Sequence, residues 1–186
     1  MEDLEKIIKE CASGNVRAQE KLYRMLAPRM FGVCLRYAKD RTEAEDNLQD
    51  GFVKVFKNIS MFRFEGSFEG WVRRIMVNVC LSKYRENFKL FPVEDIGTFE
   101  PTPVPDDVMS RLATQELLEL VQQLPPRYKM VFNLYALDGM NHQQISEIMG
   151  ISVGTSKSNL ARARGILKQK VLELYKDTRS NINYPA

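Results

Sequence analysis

The sequence predicts an all-α protein made of two small helical domains. Three observations carry this. No segment alternates apolar and polar residues as a half-buried strand would. Apolar residues recur at three- and four-residue spacing through about residue 87 and again from about residue 109. Between them lies a stretch rich in proline and acid. The expected organisation is a helical domain over 1–87, a flexible linker over 88–108 and a second helical domain, ending in a helix-turn-helix, over 109–178. A length of 186 residues with 44% apolar content can fill one or two small cores.

In the first domain, Leu22, Met25, Leu26, Met30, Phe31, Val33, Cys34 and Tyr37 give one helix its inner face. Leu48, Phe52, Val53, Val55 and Phe56 do the same for the next. The only proline before residue 88 is Pro28. Thr42 suits an N-cap, with Glu45 completing a capping box. Around it Asp40, Glu43, Glu45, Asp46 and Asp50 oppose a single base, Arg41. Asp46, Gln49 and Asp50 are three and four apart and share a face. That face reads equally as a solvated helix start or as a docking surface for a basic partner.

Residues 58–86 interleave Phe62, Phe64, Phe68 and Trp71 with Arg63, Arg73, Arg74, Lys83 and Arg85. Aromatic platforms beside cations hold single-stranded nucleic acid. Phe68, Trp71 and Ile75 are also core candidates, at least two of them expected inside. Phe62-Arg63-Phe64-Glu65 reads as an exposed loop.

The linker contains Pro92, Pro101, Pro103 and Pro105. From Glu86 to Gln123 eight acids oppose Lys89 and Arg111, a net of −6. Prolines break a helix and like charges extend the chain. The next helix is expected to start near Pro105-Asp106-Asp107 and run to Leu124, with Leu112, Leu117, Leu118, Leu120 and Val121 inside.

Pro125 and Pro126 open another helix, where a missing N–H costs little. Val131, Leu134, Tyr135 and Leu137 form its apolar face, and Asp138-Gly139 ends it. Asn141 caps a short helix over Gln143–Met149, with Ile145, Ile148 and Met149 facing in. Gly150 supplies the positive φ of a tight interhelical turn. Ser152 caps a final helix running to about Leu174. Small and polar residues fill its first turns, followed by Arg162 and Arg164. In a helix-turn-helix that position meets base edges in the major groove. From Leu124 to Arg179 nine Lys and Arg oppose four acids, a net of +5 against +3 for the chain. A basic helix-turn-helix points to duplex DNA.

No run approaches the roughly 20 apolar residues of a membrane span. The N-terminus, MEDLEKIIKE, lacks the apolar stretch of a secretory signal, so a cytoplasmic location is expected. Cys11, Cys34 and Cys80 read as buried free thiols. With one histidine, His142, and no CxxC, neither metal nor cofactor is expected. His142 reads as a surface or capping residue.

In this order, AEDNLQDGFVKVFKNI, FEGSFEGWVRRIMVN, LPPRYKMVF and SVGTSKSNLARARGIL resemble the motifs of bacterial RNA polymerase sigma factors of the extracytoplasmic-function (ECF) group of the sigma-70 family. The resemblance covers about residues 10–87 and 110–172. It implies a non-catalytic initiation factor in the minimal two-domain form, with no additional N-terminal or middle domain. Its partners would be core RNA polymerase, promoter DNA and an anti-sigma factor. It further implies that Thr155, Lys157, Ser158, Asn159, Arg162 and Arg164 read the minus-thirty-five duplex. Phe62, Phe64 and Glu65 would pocket an extruded minus-ten base, with Arg73, Arg74, Asn78 and Lys83 gripping the strand. Glu45, Asp46, Gln49 and Asp50 would dock on a basic coiled coil of the polymerase. Ser156, Asn159 and Ala161 depart from the group's usual residues where bases would be read, so the promoter sequence does not carry over.

Two rivals compete. A stand-alone helix-turn-helix regulator accounts for the second domain but leaves the aromatic–basic segment idle. An enzyme such as a DNA recombinase lacks a nucleophile motif, a metal spacing and a Gly-rich phosphate loop in this sequence.

Overall fold

The computed structural model describes residues 2–90 and 114–180, and among these every regular element is helical. The chain divides into two compact units, Met1–Val93 and Glu94–Ala186.

In the first unit, α1 (Glu2–Ala12), α2 (Val16–Tyr37), α3 (Arg41–Asn58) and α4 (Phe68–Leu90) form a bundle in which α2 packs on the other three. α4 continues past residue 87 to Leu90; the rest of the expected linker lies outside the described residues. Asn15 caps α2, its Oδ1 accepting from the Ala18 N–H at 3.1 Å. The N-cap of α3 is Asp40, not Thr42. The Asp40 carboxylate accepts from the Glu43 N–H at 2.8 Å, and the Glu43 carboxylate accepts from the Lys39 N–H at 2.6 Å. Glu45, the expected box partner, instead pairs with Arg41 at 2.9 Å. A carboxylate cap also places negative charge at the positive end of the helix dipole, which a threonine cannot do.

Leu22, Leu26, Met30, Val33, Cys34 and Tyr37 of α2 are buried, as are Ala44, Leu48, Phe52 and Val55 of α3 and Val72, Met76 and Cys80 of α4. Burying each larger side chain stabilises by roughly 1.5–3 kcal/mol. Met25 and Val53, expected inside, are 48% and 51% exposed. They fall off the seams set by positions 22, 26, 30 and 33 and by 48, 52 and 55; Phe31 and Phe56 are half-buried. Gly51 sits at the α3–α4 contact, where a Cβ would overlap the thioether of fully buried Met76. The three cysteines are free and buried. A hydrogen bond between Cys34 and Cys80 lowers the Cys34 pKa; that bond and burial push the Cys80 thiol up.

In the second unit, α5 (Thr114–Gln122), α6 (Pro126–Phe132), α7 (His142–Met149) and α8 (Val153–Ser180) form a smaller cluster built on α8, which packs on the other three. The expected start of α5 near residue 105 lies outside the described residues. Pro126 is the first helical residue of α6. α6 then widens into a π turn, Asn133–Leu137, closed by the Asp138 N–H donating to the Asn133 carbonyl at 3.0 Å. Spacing did not predict that extra residue, and it rotates the expected apolar face. Leu134 is buried, while Tyr135 and Leu137 are half-buried. Asn141 and Gln144 form a reciprocal capping box, both bonds 2.9 Å. α8 extends to Ser180, beyond the expected end near Leu174. Val121, Met130, Val131, Leu134, Ile145, Ala163, Leu167 and Val171 fill the core. No described helix is long and apolar enough to cross a membrane.

Candidate nucleic-acid interfaces

In the first unit the site is the loop between α3 and α4. A 3-10 turn, Ile59–Met61, ends α3, and Ser67 caps α4 by accepting from the Gly70 N–H at 3.3 Å. Phe62 anchors the loop. Its ring lies 5.0 Å from Phe64, 5.0 Å from Phe68 and 5.7 Å from Trp71. Such edge and offset contacts each add about 0.5–1.5 kcal/mol beyond area burial. Phe64 holds φ at +60°, a conformation side chains rarely adopt, and its ring is 45% exposed. Backbone strain of this kind survives only where its surroundings enforce it, and it clusters at functional sites.

Beside this cluster opens a cavity of about 450 Å³, lined by Phe62, Arg63, Glu65, Gly66, Trp71 and Arg74 among others. Glu65 and Arg74 are exposed, so the cavity joins aromatic walls to an acceptor and a cation. Asn78 is exposed one turn beyond Arg74, and Arg73 is half-buried. Of Phe68, Trp71 and Ile75, Phe68 alone is fully buried. Phe64 does not line the cavity, and the Lys9 ammonium lies over its ring at 5.9 Å. Lys83 does not join the cavity and pairs with Asp50 of α3 at 2.7 Å. Glu45, Asp46, Gln49 and Asp50 are all exposed on α3.

In the second unit, Gly150 adopts φ 66° and ψ 35°, the left-handed turn that joins α7 to α8. Its N–H and that of Ile151 both donate to the Ser146 carbonyl. The Ser152 hydroxyl accepts from the Thr155 N–H at 2.9 Å and starts α8. Along α8, Gly154, Lys157, Ser158, Ala161 and Arg164 are exposed. Their spacing of three and four residues puts them on one stripe. Thr155 and Arg162 are half-buried at its edge.

Three sequence expectations need correction here. Asn159 is 3% exposed, and its amide nitrogen has no hydrogen-bond partner; it faces the core and is not presented to a base. Ser156 is fully buried, sharing a 2.9 Å hydrogen bond with His142 Nδ1. His142 is therefore half-buried structure, its ring stacked 4.8 Å from that of Tyr135. The signal was available: positions 156, 160, 163, 167 and 171 follow one inward seam, and polarity concealed its first member. Arg162 donates to the hydroxyl of buried Tyr128 at 3.3 Å, and the Arg164 guanidinium lies 5.6 Å from the Tyr135 ring. Lys129, counted among the positive charges of this segment, is buried and donates to Gln122 at 3.2 Å. Among the described residues no cluster of three or more His, Cys, Asp or Glu is placed to hold a metal.

Residues 22–88 match the family model for sigma-70 region 2, and residues 114–167 match that for sigma-70 region 4. The chain is 28% identical over 162 residues to the ECF RNA polymerase sigma factor SigE of Mycolicibacterium smegmatis, covering 80% of this chain and 60% of that relative. It is 28% identical over 183 residues to the ECF RNA polymerase sigma factor SigW of Bacillus subtilis, covering 92% of this chain and 98% of that one. A solved structure of the sigma factor RpoE with the anti-sigma factor NepR, from Bartonella quintana, aligns with 83% of this chain and 96% of that chain, at a TM-score of 0.49 and 20% identity.

Proposed function

The chain belongs to the ECF group of the sigma-70 family of RNA polymerase sigma factors, and we propose that its two units read promoter DNA in two different states. The second unit reads the minus-thirty-five duplex through the exposed stripe of α8. Lys157, Ser158 and Arg164 are the contacts, with Thr155 and Arg162 at the edge. The first unit captures a base of the minus-ten strand in the cavity of Phe62, Glu65, Trp71 and Arg74. Stacking and charge there offset the few kcal/mol of unstacking, so capture favours the melted state. Phe64, Arg73 and Asn78 extend that surface. The exposed acids of α3 dock on a basic surface of core polymerase. The bond-making chemistry is the polymerase's, and the chain acts beside it in the cytoplasm. A partner that covers these surfaces, such as an anti-sigma factor, would hold it inactive.

The observation that carries this reading is the pairing of two unlike interfaces. One is a capped recognition helix with a small, basic outer stripe. The other is an aromatic cavity with charged walls. A stand-alone regulator has a use for the first and none for the second. Run-off transcription with core polymerase and a genomic promoter library tests the proposal: discrete new transcripts that depend on the chain are expected. Duplex binding with no capture of core polymerase and no transcripts would make it a regulator instead.

A further inference from the structure

The π turn at Asn133–Leu137 sets the position of Tyr135, and Tyr135 meets the recognition helix at exposed Arg164. Behind it runs a chain of contacts that starts in the core. Ser156 is fully buried and bonded to His142 Nδ1 at 2.9 Å. The His142 ring lies nearly parallel to Tyr135, 26° between planes and 4.8 Å between centroids. The Arg164 guanidinium rests 5.6 Å from the Tyr135 centroid. π turns interrupt α-helices frequently at functional sites.

We propose that Tyr135 is a positioning residue for duplex binding, holding the Arg164 guanidinium on the outer stripe of α8 so that it meets a backbone phosphate. The proposal rests on α8 being the duplex-reading helix. A long arginine side chain loses rotamer freedom when it is fixed on a ligand. An aromatic face beneath the guanidinium removes part of that freedom in advance and leaves the charge exposed. Arg162 shows the contrast. Its partner is the hydroxyl of buried Tyr128, so the same helix carries one arginine held inward and one held on the surface.

The test is binding of the full chain to a short mixed-sequence duplex across a salt series. Arg164→Ala should lower the slope of log affinity against log salt by about one. Tyr135→Leu changes no charge, yet it should lose at least half as much slope. Tyr135→Phe keeps the ring and should retain the wild-type slope. In Arg164→Ala, adding Tyr135→Leu should change nothing further. Tyr135→Met, unbranched, replaces leucine should that variant's helical content fall. A purely structural tyrosine would shift the unfolding midpoint and leave the slope at its wild-type value, which overturns the proposal. A further loss in the double variant overturns it as well. A wild-type slope from Arg164→Ala removes the contact being positioned; that failure belongs to the duplex reading and is distinct from a failure of Tyr135 alone.

Discussion

The Lys83 ammonium lies 2.7 Å from the Asp50 carboxylate, joining α4 to the acidic face of α3. The pair links a residue expected on the melted strand to one expected on the polymerase. Asp50 is 55% exposed and Lys83 29%. Ion pairs this accessible contribute about 0–1 kcal/mol, so a stronger ligand can take either partner.

The first prediction concerns that acidic face. Asp46 is exposed one turn before Asp50, and reversing it places a cation where a basic partner would dock. Asp46→Lys should weaken capture of core polymerase about tenfold or more, equivalent to about 1.4 kcal/mol. Helical content should not change, because the residue contributes nothing to the core. Undiminished capture in a pull-down would remove docking from this face.

A second prediction separates the parts of the aromatic loop. Phe62 is half-buried and touches three other rings, so Phe62→Ala should destabilise the first unit by about 1–3 kcal/mol and impair promoter melting with it. Glu65 is exposed on the cavity wall. Glu65→Ala should leave the unfolding midpoint in place and still slow open-complex formation. Permanganate reactivity of unpaired thymines reads melting directly. Normal melting by Glu65→Ala would take that carboxylate out of the base pocket.

The third prediction sets two effects against each other. Replacing Gly51 by alanine inside α3 gains about 1 kcal/mol of helix propensity. The new methyl meets fully buried Met76, and overpacking costs about 1–3 kcal/mol. Packing should win, giving a net loss of about 1 kcal/mol in urea unfolding. In a Met76→Val background the thioether is gone, and Gly51→Ala should become stabilising. The same sign in both backgrounds would mean that Met76 is not what excludes the methyl.

These cases show which features sequence carries and which it conceals. Pro126, the Asn141–Gln144 box, Gly150 and Ser152 were legible because each acts on backbone groups within four residues of itself. Asp40 was missed because two cap-competent residues lie two apart, and the choice depends on which start aligns the rest of α3 with the core. Asn159 and Ser156 are concealed for a related reason: their polarity suggests exposure, while their spacing from Ala163 and Leu167 points inward. The π turn leaves no mark in apolar spacing, since one added residue shifts a face without breaking it. The cavity at Phe62 depends on three rings, Phe62, Phe68 and Trp71, brought together by a turn, so the sequence could supply the ring types but not the enclosure.

Burial along α8 yields the last prediction, since Lys157, Asn159 and Arg162 stand within six residues and face three environments. Lys157 is exposed, Arg162 half-buried on the Tyr128 hydroxyl, and Asn159 internal with an amide nitrogen that has no partner. Lys157→Ala should lower minus-thirty-five duplex affinity by about 1–3 kcal/mol if it reads a base, or reduce the salt slope by about one if it meets a phosphate. Arg162→Ala should weaken binding and also lower stability by about 0.5–1.5 kcal/mol, because a bond to a buried hydroxyl goes with it. Asn159→Ala should leave sequence preference as it is. An amide donor without a partner stabilises nothing by itself, and a methyl in its place is near neutral or favourable once cavity loss is set against it. Selection from a randomised duplex library compares the three. An altered preferred sequence in Asn159→Ala would mean that α8 turns its inner face toward DNA on binding, and the stripe of Gly154, Lys157, Ser158, Ala161 and Arg164 would then not be the reading surface.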